Sequence, residues 1–262
     1  MILNSTSAFT NIPRKIISLV PSQTELLHFL ELDTETVGIT KFCIYPAPWR
    51  DTKIIVGGTK QVNASLIDQI QPDLIIANKE ENDRDQILAL ANKYPVWVTD
   101  VNNLDDALQM IRDIGQLSNR TKKAQLLVDE ISTRFAKLEQ NMLNLDPIPA
   151  AYLIWREPWM TVGGGTFIHD MMQRAGLLNV FRDQPRYPTI NMEILKQSGC
   201  KSLLLSSEPY PFSSKHAAAL NIILPDIKMI LTNGEMFSWY GSRLLLAPDY
   251  FISLIDRMRT SN

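Results

Sequence analysis

The chain has 262 residues, enough for one large domain or for two lobes that each bury a core. Its 45% hydrophobic and 21% charged residues are ordinary for a globular protein, and a net charge of -2 gives no reason to expect nucleic acid or an acidic membrane surface as partner. Cys43 and Cys200 stand far apart, which excludes a disulfide scaffold and a cysteine-type zinc site.

The first half alternates strand and helix patterns. Residues 15–20 (KIISLV) form a β-branched apolar run that stops at Pro21, the mark of a buried strand. Ser22 then stands where a helix cap belongs, and Glu25 three residues on completes a capping box for a helix through Leu30. Residues 37–39 and 53–56 are further short strands. Residues 66–70 have helical spacing broken by Pro72, residues 74–77 (LIIA) read as a buried strand, residues 83–93 as a helix and residues 96–98 as a strand. Strands separated by helices imply βαβ units and a largely parallel sheet.

A different pattern occupies residues 119–145. Ala124, Leu127, Val128, Ile131, Phe135, Leu138, Met142 and Leu145 recur at every third or fourth position without an intervening Gly or Pro, and Pro147 and Pro149 mark the end. This is one amphipathic helix of about 25 residues, roughly 37 Å long. It is either a long packing helix inside one domain or, as its length and its place in mid-chain favour, a bridge between two lobes.

The second half resumes the alternation. Residues 151–155 and 160–162 read as strands, and Thr166 caps a helix through Ala175 that Gly176 ends. Residues 193–198 read as helix and residues 202–205 and 228–231 as strands. A last helix covers residues 242–258, kinked or split by Pro248. Residues 66–80 and 194–208 share one grammar of helix, break, apolar strand and acidic loop, with Glu80 and Glu208 in matching places.

No run approaches the ~18 apolar residues that cross a bilayer, and residues 1–6 carry neither the basic stretch nor the apolar core of a signal peptide. His28, His169 and His216 lie in separate segments without metal-ligand spacing, and there is no nucleophile elbow or Walker-type phosphate loop. Neither enzymatic chemistry nor a resident metal or cofactor is therefore expected. Gly163-Gly164-Gly165-Thr166 opens a helix, and its N–H groups suit either an oxygen-rich group or a tight strand-to-helix turn.

What remains is a set of loops rich in aromatics and arginine. They carry Tyr45 and Trp49 in the first half, then Trp155, Arg156 and Trp159, Arg186, Tyr210 and Phe212, and Trp239, Tyr240 and Arg243. In open parallel sheets, ligands lie beyond the carboxyl ends of the strands. Aromatic walls with a few fixed cations suit a large, flat, partly anionic small molecule.

Residues 14–25 (RKIISLVPSQTE), Val37-Gly38-Ile39-Thr40, Gly57-Gly58-Thr59 and residues 72–77 (PDLIIA) together resemble the helical-backbone, class III, substrate-binding proteins of ABC importers, which take up cobalamin, ferric siderophores or haem. The resemblance covers nearly the whole chain. It implies an α/β fold of two Rossmann-like lobes with central, mainly parallel sheets, residues 1–118 and 147–262. One long helix, residues 119–146, joins them, with the ligand cleft between the lobes; a helix is a stiff hinge, so opening is expected to be small.

The function it implies is capture of a metal chelate, cobalamin or a ferric siderophore, for an ABC importer, by a monomer in the periplasm or cell envelope. A cytoplasmic chelate-binding or sensing protein without a transporter is the alternative that the amino terminus leaves open. Family members dock through an exposed glutamate on each lobe, for which Glu80 or Glu81 and Glu208 or Glu235 are the candidates. The positions aligned with the cobalamin-binding member's docking residues carry Arg84 and Ser238.

Overall fold

Apolar runs too short for helices become strands: β1 (Ile2–Leu3), β2 (Ile16–Ser18), β3 (Thr36–Ile39), β4 (Ile54–Ile55), β5 (Leu74–Asn78) and β6 (Val96–Thr99). The computed structural model, which describes residues 1–260 except Asn4 and Thr10, pairs them all in parallel in the order β1-β6-β5-β2-β3-β4. Every residue of β5 is buried, as a central strand covered on both faces requires. Helices α1 (Pro21–Phe29), α2 (Trp49–Thr52), α3 (Ala64–Ile70) and α4 (Arg84–Ala91) connect the strands. Ile17, Leu19, Val56, Ile67, Ile75, Ile87 and Val96 share one core.

The start of α1 differs from expectation. Val20 is the N-cap, Pro21 takes the first helical position, where its missing N–H leaves no bond unmade, and Ser22 lies inside the helix. No capping box forms, and Glu25 has another partner, described below.

Between β6 and the long helix the chain forms α5 (Leu104–Leu117), a 14-residue helix absent from the expectation. Its signal was present: Leu104, Ala107, Leu108, Ile111, Ile114 and Leu117 keep the helical period and are buried. Asn119 at φ 57° turns the chain, and α6 (Thr121–Met142) begins. A Cβ on Gly115 would lie 2.3 Å from that of Ala124, so only glycine lets the two helices approach this closely. The 22 residues of α6 span about 33 Å. It is shorter than expected at both ends, with Asn119 in the turn and Leu145 exposed past the last turn.

Beyond α6, β7 (Ile148–Trp155), β8 (Met160–Thr161), β9 (Leu177–Asn179), β10 (Ser202–Ser206) and β11 (Lys228–Thr232) make a second sheet. Strands β11, β10, β7 and β9 lie parallel in that order, and β8 returns antiparallel on the end of β7. The helices are α7 (Phe167–Arg174), α8 (Met192–Gln197), α9 (Ser214–Ile223), α10 (Glu235–Ser238) and α11 (Ala247–Thr260). Helix α7 is bounded as its sequence demands: Thr166 Oγ1 accepts the His169 N–H, and Gly176 takes φ 76°. The last helix is split, a 3₁₀ turn at Ser242–Leu245 preceding α11, and Pro248 falls in the first turn of α11, where proline is tolerated. Strand β9 and helices α9 and α10 were not foreseen.

The internal echo is a structural repeat. Asn63 caps α3 by accepting the Leu66 N–H, just as Asn191 caps α8 by accepting the Ile194 N–H. Strands β5 and β10 follow, and Glu80 and Glu208 each stand two residues past the strand end. The orders β6-β5-β2-β3 and β11-β10-β7-β9 are the same doubly wound order.

The chain divides into two compact units. Unit 1 holds Met1–Val101, Asp105–Glu130 and Trp239–Arg243; unit 2 holds Asn102–Leu104, Ile131–Ser238 and the chain from Leu244 on. The division falls inside α6, whose buried stripe runs through Ala124, Leu127, Val128, Ile131, Phe135 and Leu138. Each unit has its own core, that of unit 2 including Leu153, Phe181, Leu195, Leu203 and Leu220. No helix among the described residues is long and apolar enough to cross a membrane.

Candidate functional site

A doubly wound sheet leaves a crevice beyond its strand carboxyl ends where the winding reverses, because the helices on either side diverge there. In unit 2 that point lies between β7 and β10, and the loops leaving those strands carry the aromatic residues. Trp155, the last residue of β7, is 41% exposed and meets the Tyr210 ring edge to face at 5.7 Å. Tyr210 packs on Phe212 at 4.7 Å, Phe212 stacks parallel to Trp159 at 6.3 Å, and the Arg156 guanidinium lies 5.7 Å from the Trp159 ring. Arg156 also contacts Glu157 at 3.1 Å, an ion pair open to solvent.

His216 supports this cluster from behind. Its Nδ1 accepts the Ser213 N–H at 3.0 Å, completing a capping box at the start of α9, and its Nε2 lies 3.3 Å from the Tyr210 hydroxyl. Burial, then the nearby Lys215 and Arg156, hold its pKa below the ordinary histidine value. The neutral ring with its proton on Nε2 is the form that makes both bonds.

Arg186 sits on a separate loop in the left-handed conformation, φ 57°. Its Nη1 donates to Asn102 Oδ1 and to the Gly165 carbonyl, both at 3.0 Å. The glycine run holds this loop. Gly163 N–H donates to Arg186 O, Gly164 N–H to Gln184 O and Arg186 N–H to Gly164 O, at 2.7, 2.7 and 2.9 Å. Neither an oxygen-rich group nor the turn alone accounts for Gly163 and Gly164: their N–H groups are taken by carbonyls of the Arg186 loop, which they seat.

Unit 1 carries a second cluster. Tyr45, 38% exposed, meets Trp239 edge to face at 5.7 Å, and the Arg243 guanidinium lies 4.4 Å from the Tyr45 ring and 4.9 Å from that of Trp239. Arg243 is held by Glu25 of α1 through two bonds, Nε to Oε2 at 3.0 Å and Nη2 to Oε1 at 2.6 Å. Tyr240 beside them is buried. Trp49 belongs to the interior of this unit: it is 4% exposed, its Nε1–H donates to Asp33 Oδ1 at 3.1 Å, and His28 meets its ring edge-on. Burial raises the Asp33 pKa, but the bonds from His28 and Trp49 outweigh it and leave it below the usual carboxylate range.

The four glutamates expected at a transporter surface are all partly buried. Glu80 and Glu81 follow β5, where the Asn78 side-chain oxygen accepts both of their N–H groups at 2.8 and 3.1 Å. Glu208 receives the Ser238 hydroxyl at 2.6 Å, and Glu235 opens α10. Arg84 opens α4 and is exposed.

The three histidines each have a partner: Asp33 for His28, Asn179 for His169, Ser213 for His216. Sequence reasoning missed Glu25 as the partner of Arg243, His216 behind Tyr210, and the buried amides at the β5 end, where Asn82 Oδ1 accepts the Asn78 N–H and Asn82 Nδ2 donates to Leu19 O. Only polar residues directly after an apolar strand hinted at the last.

A family model described as periplasmic binding protein matches residues 16–209 of the chain. The vitamin B12-binding protein of Pectobacterium carotovorum is 23% identical across 98% of this chain and 93% of its own length. The solved periplasmic vitamin B12 binding protein BtuF of Vibrio cholerae superposes with a TM-score of 0.80 at 20% identity, over 95% of this chain and 99% of that one. The periplasmic heme-binding protein RhuT from Roseiflexus sp. RS-1 gives 0.79 at 20% identity, over 93% and 98%. The structural likeness establishes the fold.

Proposed function

The chain belongs to the periplasmic binding protein family, and from that premise we propose that it captures a metal chelate of the cobalamin, haem or ferric-siderophore type for delivery to an ABC importer. The family is one of substrate-binding proteins, not of enzymes. The observation that supports the reading most is the position of the aromatic residues. Trp155, Trp159, Tyr210 and Phe212 gather around the β7 and β10 carboxyl ends of one doubly wound sheet, and Tyr45 with Trp239 forms a second group in the other unit.

In this reading exposed rings such as Trp155 stack on the flat parts of the chelate, with the buried Phe212 and Trp239 backing them, while Arg156 and Arg186 meet its peripheral oxygens. Tyr240 lines the wall beside Trp239. Trp49 and Arg243, held by Asp33 and Glu25, support that wall from within unit 1. Glu80 or Glu81 in one unit and Glu208 or Glu235 in the other meet the importer, and the chain acts as a monomer at the cell envelope. The relatives named for vitamin B12 and heme favour this over a chelate sensor without a transporter.

Titration of the purified protein with cyanocobalamin, haemin and a ferric siderophore, followed by tryptophan fluorescence, tests the proposal. Saturable binding of one of them is expected, weakened about tenfold by Trp155→Ala. No saturation with any of the three refutes it.

A further inference from the structure

We propose that Tyr210 is the hydrogen-bond donor of the unit 2 wall, reading an acceptor oxygen on the rim of the ligand, and that Ser213 and His216 position its hydroxyl for that role. This deepens the reading above and rests on it, and every residue involved belongs to unit 2.

The protons fix the direction of each bond. His216 Nδ1 faces two donors, the Ser213 N–H and the Ser213 hydroxyl, both at 3.0 Å. An N–H can only donate, so Nδ1 is the bare nitrogen and the proton of the neutral ring sits on Nε2. Nε2 lies 3.3 Å from the Tyr210 hydroxyl oxygen, so the imidazole donates and the phenol accepts. The phenol still has a proton of its own. No group among the described residues takes it, which leaves it for water or for a ligand.

The ring that carries this proton is fixed as well. Tyr210 N–H donates to Ile154 O near the end of β7 at 3.3 Å, and Phe212 N–H to Ser206 O at the end of β10 at 3.1 Å. Tyr210 is thereby set between the two strand ends where the crevice lies. Its ring meets Phe212 at 4.7 Å, His216 at 5.5 Å and Trp155 at 5.7 Å. Phe212 and His216 are buried and keep the phenol from turning, whereas Trp155 is exposed.

The surrounding charges favour the neutral imidazole. Burial, Lys215 and Arg156 all disfavour a cation at His216, and Glu157 is engaged with Arg156 at 3.1 Å. A protonated His216 would also turn an N–H against the Ser213 N–H and open the capping box at the start of α9.

The ligand class follows from what the wall offers. The Tyr210 hydroxyl and the partly exposed Arg156 guanidinium are both donors, and Trp155 beside them supplies a ring face. They fit a flat group whose rim carries acceptor oxygens, carboxylates or amide carbonyls, and they disfavour a rim of ammonium or N–H groups, which would leave donor facing donor.

The experiment uses the full chain. Imidazole proton–nitrogen correlation spectra at neutral pH read the tautomer, the His216 signals being assigned by their loss in His216→Gln or their shift in Tyr210→Phe. A proton on Nε2 and a bare Nδ1 are expected; a proton on Nδ1 overturns the relay. In parallel, affinity is measured for haemin, whose rim carries carboxylates, and for cyanocobalamin, whose rim carries amides. Tyr210→Phe keeps the ring and removes only the hydroxyl. It is expected to weaken haemin about tenfold, a charged acceptor, and cyanocobalamin about fivefold. His216→Gln, which keeps an acceptor for the Ser213 N–H, costs about threefold, and the double variant binds no worse than Tyr210→Phe, because His216 acts through the hydroxyl. Unchanged affinity in Tyr210→Phe overturns the donor role, and losses that multiply in the double variant overturn the positioning role. If the wild-type chain binds neither probe, the functional proposal fails and the donor role with it, while the tautomer still decides the relay.

Discussion

Replacing Gly163 by alanine puts a Cβ where the structure has no room for one. The added atom would lie 2.1 Å from Gln184 O and 3.2 Å from Arg186 O, whereas unstrained contacts begin near 3.5 Å. The loop that carries Arg186 must retreat by more than an ångström, and three backbone hydrogen bonds hold it: Gly163 to Arg186, Gly164 to Gln184 and Arg186 to Gly164, at 2.7, 2.7 and 2.9 Å. At about 1 kcal/mol each, their loss costs about 3 kcal/mol, at the upper end of the roughly 1–3 kcal/mol typical of overpacking. A domain with ordinary stability of about 5–15 kcal/mol survives that, so the variant folds and the loss is measurable by urea denaturation at constant m-value. Gly165→Ala is the control. Its Cβ would meet nothing within 4 Å, and only its φ of 71° opposes a side chain, a cost of about 1–2 kcal/mol. A loss below 1 kcal/mol for Gly163→Ala, or a larger loss for Gly165→Ala, refutes the backbone-seat account.

Two further outcomes follow from buried titratable groups. Burial holds His169 and His216 below the ordinary histidine pKa, so on acidification the unfolded chain takes up protons first. Their contribution to stability is complete above about pH 6.5 and falls as the pH drops through that value. Urea midpoints measured from pH 7.5 to 5 are expected to decline less in His216→Gln, which keeps a side-chain acceptor for the Ser213 N–H, and parallel curves for the two proteins would contradict the lowered pKa of His216. Burial also raises the thiol pKa of Cys43 and pushes that of Cys200 up to about 11. Neither should react with an aromatic disulfide reagent at pH 8 in the native protein, and both should in urea; prompt labelling of the folded chain would show one of them to be accessible.

What could be read from the sequence depended on interactions reaching no further than a helical turn or a strand. The mainly apolar runs at Ile16–Ser18, Leu74–Asn78 and Ser202–Ser206 are central parallel strands because burial on both faces confines polar side chains to their ends. The Thr166 cap, the Gly176 stop and the α6 stripe are equally local. Even the repeat linking Asn63 to Asn191 and Glu80 to Glu208 is written in the chain, since each copy solves the same local problem.

The long-range pairings were not legible. Glu25 has the spacing of a capping-box residue, yet its carboxylate meets Arg243 from the other end of the chain. Trp49 looks like its aromatic counterparts in the other loops, but Asp33 and His28 draw it into the interior. The N–H groups of Gly163 and Gly164 have the makings of an anion cradle until the Arg186 loop closes over them. By itself, then, the sequence determined the buried central strands, the stripe of α6 and how α7 begins and ends, because hydrophobic period and capping act within about four residues. Only the tertiary structure decided which charge, ring and backbone amide meet. Those choices depend on where distant segments cross, and a buried polar group takes whichever partner the crossing brings within about 3 Å.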